Sequence, residues 1–75
     1  MSQRPPALRP QQVVRALERA GWEVIRQKGS HMSLRKDGVP FVVTVPLHNR
    51  DLPRGTLQGI LRDAGLTMAE LLALL

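Results

Sequence analysis

The chain has 75 residues, no cysteine, and a formal net charge of +5 from 11 Lys and Arg against 6 Asp and Glu. A domain of this length buries only about 60% of its extended-chain surface, so a deep substrate cavity is excluded and any function belongs on an exposed face. The missing thiols exclude disulfides and cysteine metal sites, while the positive charge favours a polyanionic partner, with nucleic acid ahead of an acidic protein.

The N-terminal segment, residues 1–9, is predicted to be a flexible lead-in, because Pro5 and Pro6 lack backbone donors and the segment has no periodicity. It contains no apolar run of signal-peptide length. The rest of the chain contains no run near the ~20 apolar residues of a membrane span. We therefore expect a cytoplasmic protein without membrane contacts, with a single domain over residues 10–75.

The first predicted helix begins at Pro10, whose fixed φ suits a first helical turn. Its apolar residues recur at helical spacing and form one face: Val13, Val14, Leu17 and Ala20. Gly21 ends the helix, because glycine adopts the left-handed cap conformation without a Cβ penalty.

Two strands joined by a turn at Gly29 follow. The first does not sort cleanly into two faces, since one side would hold Trp22, Val24 and Arg26 and the other Glu23, Ile25 and Gln27. The second sorts better. A helix-covered face would take Met32 and Leu34, which leaves His31, Ser33 and Arg35 on an open face. We assign Trp22 to the core rather than to base stacking, because the chain has few aromatic residues.

Asp37-Gly38 predicts a two-residue hairpin turn of type I′, in which both central residues have positive φ. This turn should lead directly into a third strand over residues 41–45. Pro46 should close that strand by removing a ladder donor, and His48 should then lie in a polar loop.

The second long helix is predicted to begin near Pro53 and end at Gly65, with an apolar stripe of Leu57, Ile60, Leu61 and Ala64. Gly55 and Gly59 lower helix propensity by about 1 kcal/mol each, which predicts a close approach by another backbone or by a ligand. Thr67 and Glu70 match a capping box and predict a short last helix.

These elements define an α+β fold of order α-β-β-β-α(-α). A three-stranded antiparallel sheet should be covered by helices packed on one face. This is the architecture of the double-stranded-RNA-binding domain. Architecture alone does not define function.

The most chemically informative stretch is the turn that carries His31, because an imidazole takes up and releases protons near neutral pH and Lys28 stands close to it. The other histidine, His48, is distant in sequence. No carboxylate stands near either at ligand spacing, so we predict neither a metal nor another cofactor.

Several motifs from about residue 10 to 72 together resemble the HicA toxin family of bacterial toxin-antitoxin modules. They are Gly21-Trp22, Arg26-Gln27-Lys28-Gly29-Ser30-His31, Thr44-Val45-Pro46 with His48, and Gly55-Thr56-Leu57 with Ile60-Leu61 and Ala64-Gly65-Leu66. The resemblance implies a small, metal-independent mRNA interferase, which is an endoribonuclease acting on mRNA. It further implies a fold like the double-stranded-RNA-binding domain and inhibition in a heteromeric complex with a HicB-type antitoxin. In such pairs the antitoxin, rather than the toxin, usually carries the DNA-binding part.

The resemblance also implies that His31, the histidine of the Gly-Ser-His motif, is catalytic. In the family a second histidine often occupies the next position, where this chain has Met32. Strand parity puts Met32 on the opposite side of the sheet from His31. The departure therefore removes one helper without removing the predicted catalytic group.

RNA cleavage requires a base near the 2′-hydroxyl, a cation near the phosphate and an acid for the leaving oxygen. We assign His31 as the acid or base and Lys28 as the cation, while the Gly29 and Ser30 amides would cradle a phosphate oxygen. Further phosphate contacts are predicted from Arg26, Arg35, Arg50 and Arg54. His48 is an auxiliary candidate that a simple loop role explains equally well.

Two other functions fit the same sequence. The first is a non-catalytic RNA-binding domain of the same fold, in which His31 and Lys28 contact phosphate and hydroxyl groups without cleaving. The second is a helix-turn-helix DNA-binding protein. The recognition helix of that alternative, residues 68–75, contains one acidic and no basic residue, which matches groove recognition poorly.

Overall fold

The computed structural model describes residues 7–75. It contains a helix, a three-stranded antiparallel sheet of order β1-β2-β3, and two further helices. The elements are α1 (Pro10–Arg19), β1 (Glu23–Lys28), β2 (His31–Arg35), β3 (Val43–Pro46), α2 (Arg54–Ala64) and α3 (Met68–Ala73). The predicted α+β fold and its element order are therefore confirmed.

The core lies between the helices and one face of the sheet. On that face Leu34, Val43 and Val45 are fully buried. The helices cover them with apolar residues that include Val13, Leu17, Leu57, Ile60, Leu61 and Leu71. Trp22 is also buried, as predicted, and within the described residues its indole N–H has no hydrogen-bond partner. Burial of this kind contributes roughly 25 cal/mol per Å² of apolar surface, so this face supplies most of the stabilisation.

The helix ends follow the sequence signals. α1 begins at Pro10, and Gly21 beyond its end has a φ of 98°. α2 ends at Gly65, whose φ of 71° lies in the left-handed region. In the capping box of α3, the Glu70 amide donates to the Thr67 hydroxyl at 3.1 Å and the Thr67 amide donates to the Glu70 carboxylate at 2.9 Å.

The connection between β2 and β3 differs from the prediction. A turn does form at Asp37-Gly38, where the Val39 amide donates to the Lys36 carbonyl at 3.1 Å. Only Gly38 of the two central residues has positive φ, so the turn is not type I′. The third strand begins at Val43 rather than at Phe41, because its pairing with β2 ends at the Leu34–Val43 pair. Pro46 ends the strand as predicted.

The packed structure includes residues before Pro10. Leu8 is only 3% exposed, and its carbonyl accepts from the Leu52 amide at 2.8 Å. Arg9 forms an ion pair with Asp51 at 3.4 Å. The predicted flexible lead-in, residues 1–9, otherwise falls on residues 1–6, which lie outside the described residues.

The two glycines of α2 do not mark a close approach by another backbone, so that part of the prediction was wrong, while the approach of a ligand stays a prediction. A Cβ added at Gly55 would meet nothing within 4 Å, and one at Gly59 would meet only the Arg62 guanidinium at 3.8 Å. Both glycines therefore face open space on the surface of the helix. In residues 7–75 no helix has the length and apolarity needed to cross a membrane.

Candidate functional site

The turn between β1 and β2 fixes the geometry of the site. Gly29 has a φ of 59° and Ser30 does not have positive φ. Glycine with positive φ at the first central position is the pattern of a type II′ turn, whose twist matches that of a β-hairpin. The turn makes Lys28 and His31 direct partners across the two strands. Such partners have Cβ atoms about 4.5–5.5 Å apart, so the ammonium and imidazole groups belong to one local surface.

His31 is the first residue of the central strand and is exposed. It pairs with Lys28 on one side and with Pro46 on the other, which centres it at the turn end of the sheet. Within residues 7–75 its ring makes no side-chain hydrogen bond and no ion pair. Both ring nitrogens are therefore open to a bound ligand.

A β-bulge brings two cations to the face that carries His31. The pairing shifts register between Val24 and Arg26, which leaves Ile25 as an extra residue in β1. Val24 pairs with core-facing Leu34, while Arg26 pairs with Ser33 on the open face. The prediction that Val24 and Arg26 share one side was therefore wrong, because a bulge inverts the alternation beyond it.

The open face thus has a defined set of residues. Cross-strand partners point to the same side of a sheet, so the rows can be read from the register. They are Lys28, His31 and Pro46; then Arg26, Ser33 and Thr44; then Glu23 and Arg35. Thr44, a surface group beside Ser33, was not among the predicted site residues. A period of two within β3 would have shown it, since Thr44 lies between the buried Val43 and Val45.

Arg35 lies on the open face as predicted, but carboxylates surround it. Its guanidinium lies 3.1 Å from the Asp37 carboxylate and 3.9 Å from that of Glu23. Within the described part of the chain, neither Lys28 nor Arg26 has such a partner. The two ends of the open face therefore differ in charge, a feature that the sequence analysis missed.

The loop after β3 is hydrogen-bonded to the turn between β1 and β2. The Leu47 amide donates a hydrogen bond to the Ser30 carbonyl. This bond continues the β2–β3 pairing and keeps His48, which is exposed, at the same end of the sheet as His31. Arg50 and Arg54 are exposed farther along the same connection and at the start of α2. The structure thus brings His48 toward the turn end without giving it a partner in residues 7–75.

Met32 has the orientation that strand parity predicted. It is partly buried, packs against the core and pairs with the buried Val45. Beside it, a groove of about 220 Å³ lies against α1 on the helix-covered side. Because Met32 faces the helices, it cannot meet a ligand that sits over His31.

The fold and the site together define a small basic α+β domain whose candidate functional groups lie on an open sheet face. Comparison with protein families assigns it further. Residues 10–66 match the family described as HicA toxin of bacterial toxin-antitoxin, and the chain belongs to this family. Comparison with curated protein sequences found no match. Membership in the family implies a cognate antitoxin as partner.

Proposed function

We propose that this toxin is a metal-independent endoribonuclease that cleaves mRNA in the cytoplasm and so inhibits translation and growth. The observation that carries the proposal is the pairing of Lys28 with His31 across a type II′ turn on the open face. This arrangement supplies a proton-transfer group, a cation and free backbone amides within one short stretch of surface. RNA provides the nucleophile, its own 2′-hydroxyl.

In the proposed reaction His31 removes the proton of a 2′-hydroxyl, and the 2′-oxygen attacks the adjacent phosphorus. The bond from phosphorus to the 5′-oxygen breaks, and that oxygen leaves with a proton returned by an acid. His31 serves as that acid after its first transfer, or His48 supplies the proton from the same end of the sheet. General acid–base catalysis of this kind contributes about 10²–10⁴-fold to a rate.

Lys28 and the turn amides act on the phosphate. The ammonium offsets the charge that grows on the non-bridging oxygens, and the amides of Gly29 and Ser30 donate to one of them. Arg26, in the next row, binds a neighbouring phosphate, and Arg50 and Arg54 extend the basic surface around the loop. Ser33 and Thr44 offer hydroxyls to the ribose. In this proposal the cations, amides and hydroxyls hold the RNA, and His31 transfers the proton.

Purified wild-type protein, His31→Ala and His48→Ala, which tests the alternative acid, are compared on an RNA and its 2′-deoxy counterpart. We expect His31→Ala to lose about 10²–10⁴-fold in cleavage rate while keeping its RNA affinity, because only proton transfer is removed. The deoxy substrate should stay intact with every protein. Equal cleavage by wild type and His31→Ala would contradict the role of His31.

A second candidate is an RNA-binding domain without catalysis. It is favoured by one observation: within the described residues no side chain orients the His31 ring, whereas catalytic imidazoles are commonly held by a third group. Under this alternative the wild type binds RNA and leaves it intact. We assign no DNA contact to the chain, because α3 contains Glu70 and no basic residue.

We also propose how the toxin is silenced. A HicB-type antitoxin would form a heteromeric complex by laying an acidic surface over His31 and the cations beside it, since complementary charge guides such association. The test is co-purification with the product of the adjacent gene, for wild type and for a Lys28→Glu variant. We expect the wild type to retain the partner and the variant to lose it. Retention by both would place the interface elsewhere.

A further inference from the structure

We propose that Glu23, Arg35 and Asp37 form the boundary at which the RNA path ends on the open face. This inference rests on the proposed function and concerns which part of the sheet the RNA strand occupies. It assigns the Glu23–Arg35–Asp37 cluster, hereafter the boundary cluster, to excluding phosphate rather than to binding it. It therefore replaces the expectation that Arg35 contacts RNA.

In the boundary cluster, two carboxylates lie beside the guanidinium of Arg35. One guanidinium nitrogen lies 3.1 Å from Asp37 and another lies 3.9 Å from Glu23, across the β1–β2 pair. A phosphate that approaches Arg35 therefore competes with these carboxylates for the guanidinium. With two negative groups and one positive group, the cluster carries a net negative charge that repels a polyanion.

All three side chains of the boundary cluster are exposed to solvent. The side chain of Arg35 is 47% exposed, that of Glu23 is 73% exposed and that of Asp37 is 95% exposed. Both carboxylates are therefore accessible from solvent. An incoming phosphate is repelled by them as well as attracted by Arg35.

The turn end offers the opposite surface. His31, Lys28 and Arg26 have no carboxylate partner within residues 7–75. His31 and Arg35 lie four residues apart on β2, which corresponds to about 13 Å at ~3.3 Å per residue. This distance exceeds the Debye length of about 8 Å at physiological salt, so the boundary cluster hardly affects a phosphate held at His31.

The consequence is a division by RNA length. An RNA that reaches only the turn end should bind and react without sensing the boundary cluster. A longer RNA either bends away from the boundary cluster or binds more weakly because its phosphates are repelled there. Removing the two carboxylates should open the far end of the sheet, tighten the binding of longer RNA and leave the chemical step unchanged.

The test compares the double variant Glu23→Gln/Asp37→Asn with Glu18→Gln/Asp63→Asn, which removes two exposed carboxylates from α1 and α2. Both variants gain the same net charge. KM and kcat are measured for a short RNA and for one long enough to cross the sheet, with thermal unfolding as a check on folding. We expect the boundary variant to lower KM for the long RNA by about threefold to tenfold, as modest exposed-charge energies allow, with an unchanged kcat and an unchanged KM for the short RNA.

Equal effects of the two double variants would overturn the proposal, since net charge alone would then explain them. An unchanged KM for the long RNA in the boundary variant would also overturn it. Failure of the proposed function has a different signature, because the wild type would then leave both RNAs intact, whether or not it binds them.

Discussion

The two faces of the sheet differ, because one is buried under the helices and the other carries the groups proposed for catalysis. The helix-covered face buries Leu34, Val43 and Val45 completely, whereas the open face carries His31, Lys28 and other polar groups in contact with solvent. Because successive side chains of a strand point to opposite faces, a substitution can alter the core without altering the open face, or the open face without the core. The groove beside Met32 lies on the helix-covered side, whereas the proposed reactive groups lie on the uncovered sheet face.

The largest expected effect comes from neighbours on β2 that point to opposite faces. Leu34→Ala should lower the free energy of unfolding by about 2–5 kcal/mol, because it leaves a cavity in the core. Ser33→Ala, on the open face, should change it by less than about 0.5 kcal/mol. Urea unfolding measures both. Similar losses for the two variants would break the distinction between the faces.

A substitution at Gly29 tests whether the backbone conformation of the turn positions the site. Gly29→Ala should cost about 1–2 kcal/mol, because a φ of 59° is unfavourable for alanine even though its Cβ would meet nothing within 4 Å. Gly55→Ala is the matched control, since that helical glycine also faces open space. There we expect a gain of about 0.5–1 kcal/mol.

Thermal unfolding of the two glycine variants measures these opposite changes in stability. In the Gly29 variant, RNA cleavage should fall more than stability does, because the Lys28–His31 pairing depends on the turn. A stabilising Gly29→Ala substitution would contradict the assigned geometry.

Met32→His sharpens the comparison, because it places a histidine directly after His31 but on the covered side. We expect a loss of about 1 kcal/mol in stability from exchanging a partly buried apolar side chain for a polar one. The cleavage rate at saturating RNA should stay within about threefold of wild type, a difference under 1 kcal/mol in barrier height. A large gain in rate would show that position 32 reaches the RNA.

The smallest effect concerns a single cation. Lys28→Gln should weaken RNA binding several-fold and reduce the slope of log affinity against log salt by about 0.7, the value for one phosphate contact on a single strand. Lys36→Gln, which removes a lysine near Gly21 instead, is the control. Fluorescence anisotropy titrations at several salt concentrations measure the slope. Equal slopes for both variants would remove Lys28 from the RNA path.

Local chemistry predicted much of the fold. Pro10, Gly21, Gly65 and the Thr67–Glu70 capping box mark helix ends because each signal acts within a few residues. The alternation in β2 placed His31 on the open face and Met32 on the covered one. These features needed no knowledge of distant partners.

The antiparallel sheet was predicted, but the register between its strands was not. The bulge at Ile25 exists only in relation to β2, and it moves Arg26 to the open face. The ion pair of Arg35 with Glu23 depends on the register that the bulge sets. A sequence pattern shows the cation at Arg35 but not that carboxylates occupy it.

The most direct test of the central claim is induced expression of the wild-type chain and of His31→Ala in the same host, with growth and full-length mRNA followed together. We expect wild type to arrest growth and deplete mRNA, and an equally abundant, equally folded His31→Ala variant to do neither. Growth arrest and mRNA loss of the same size with both proteins would contradict catalysis by His31, and a wild type that leaves mRNA intact would contradict the proposed ribonuclease.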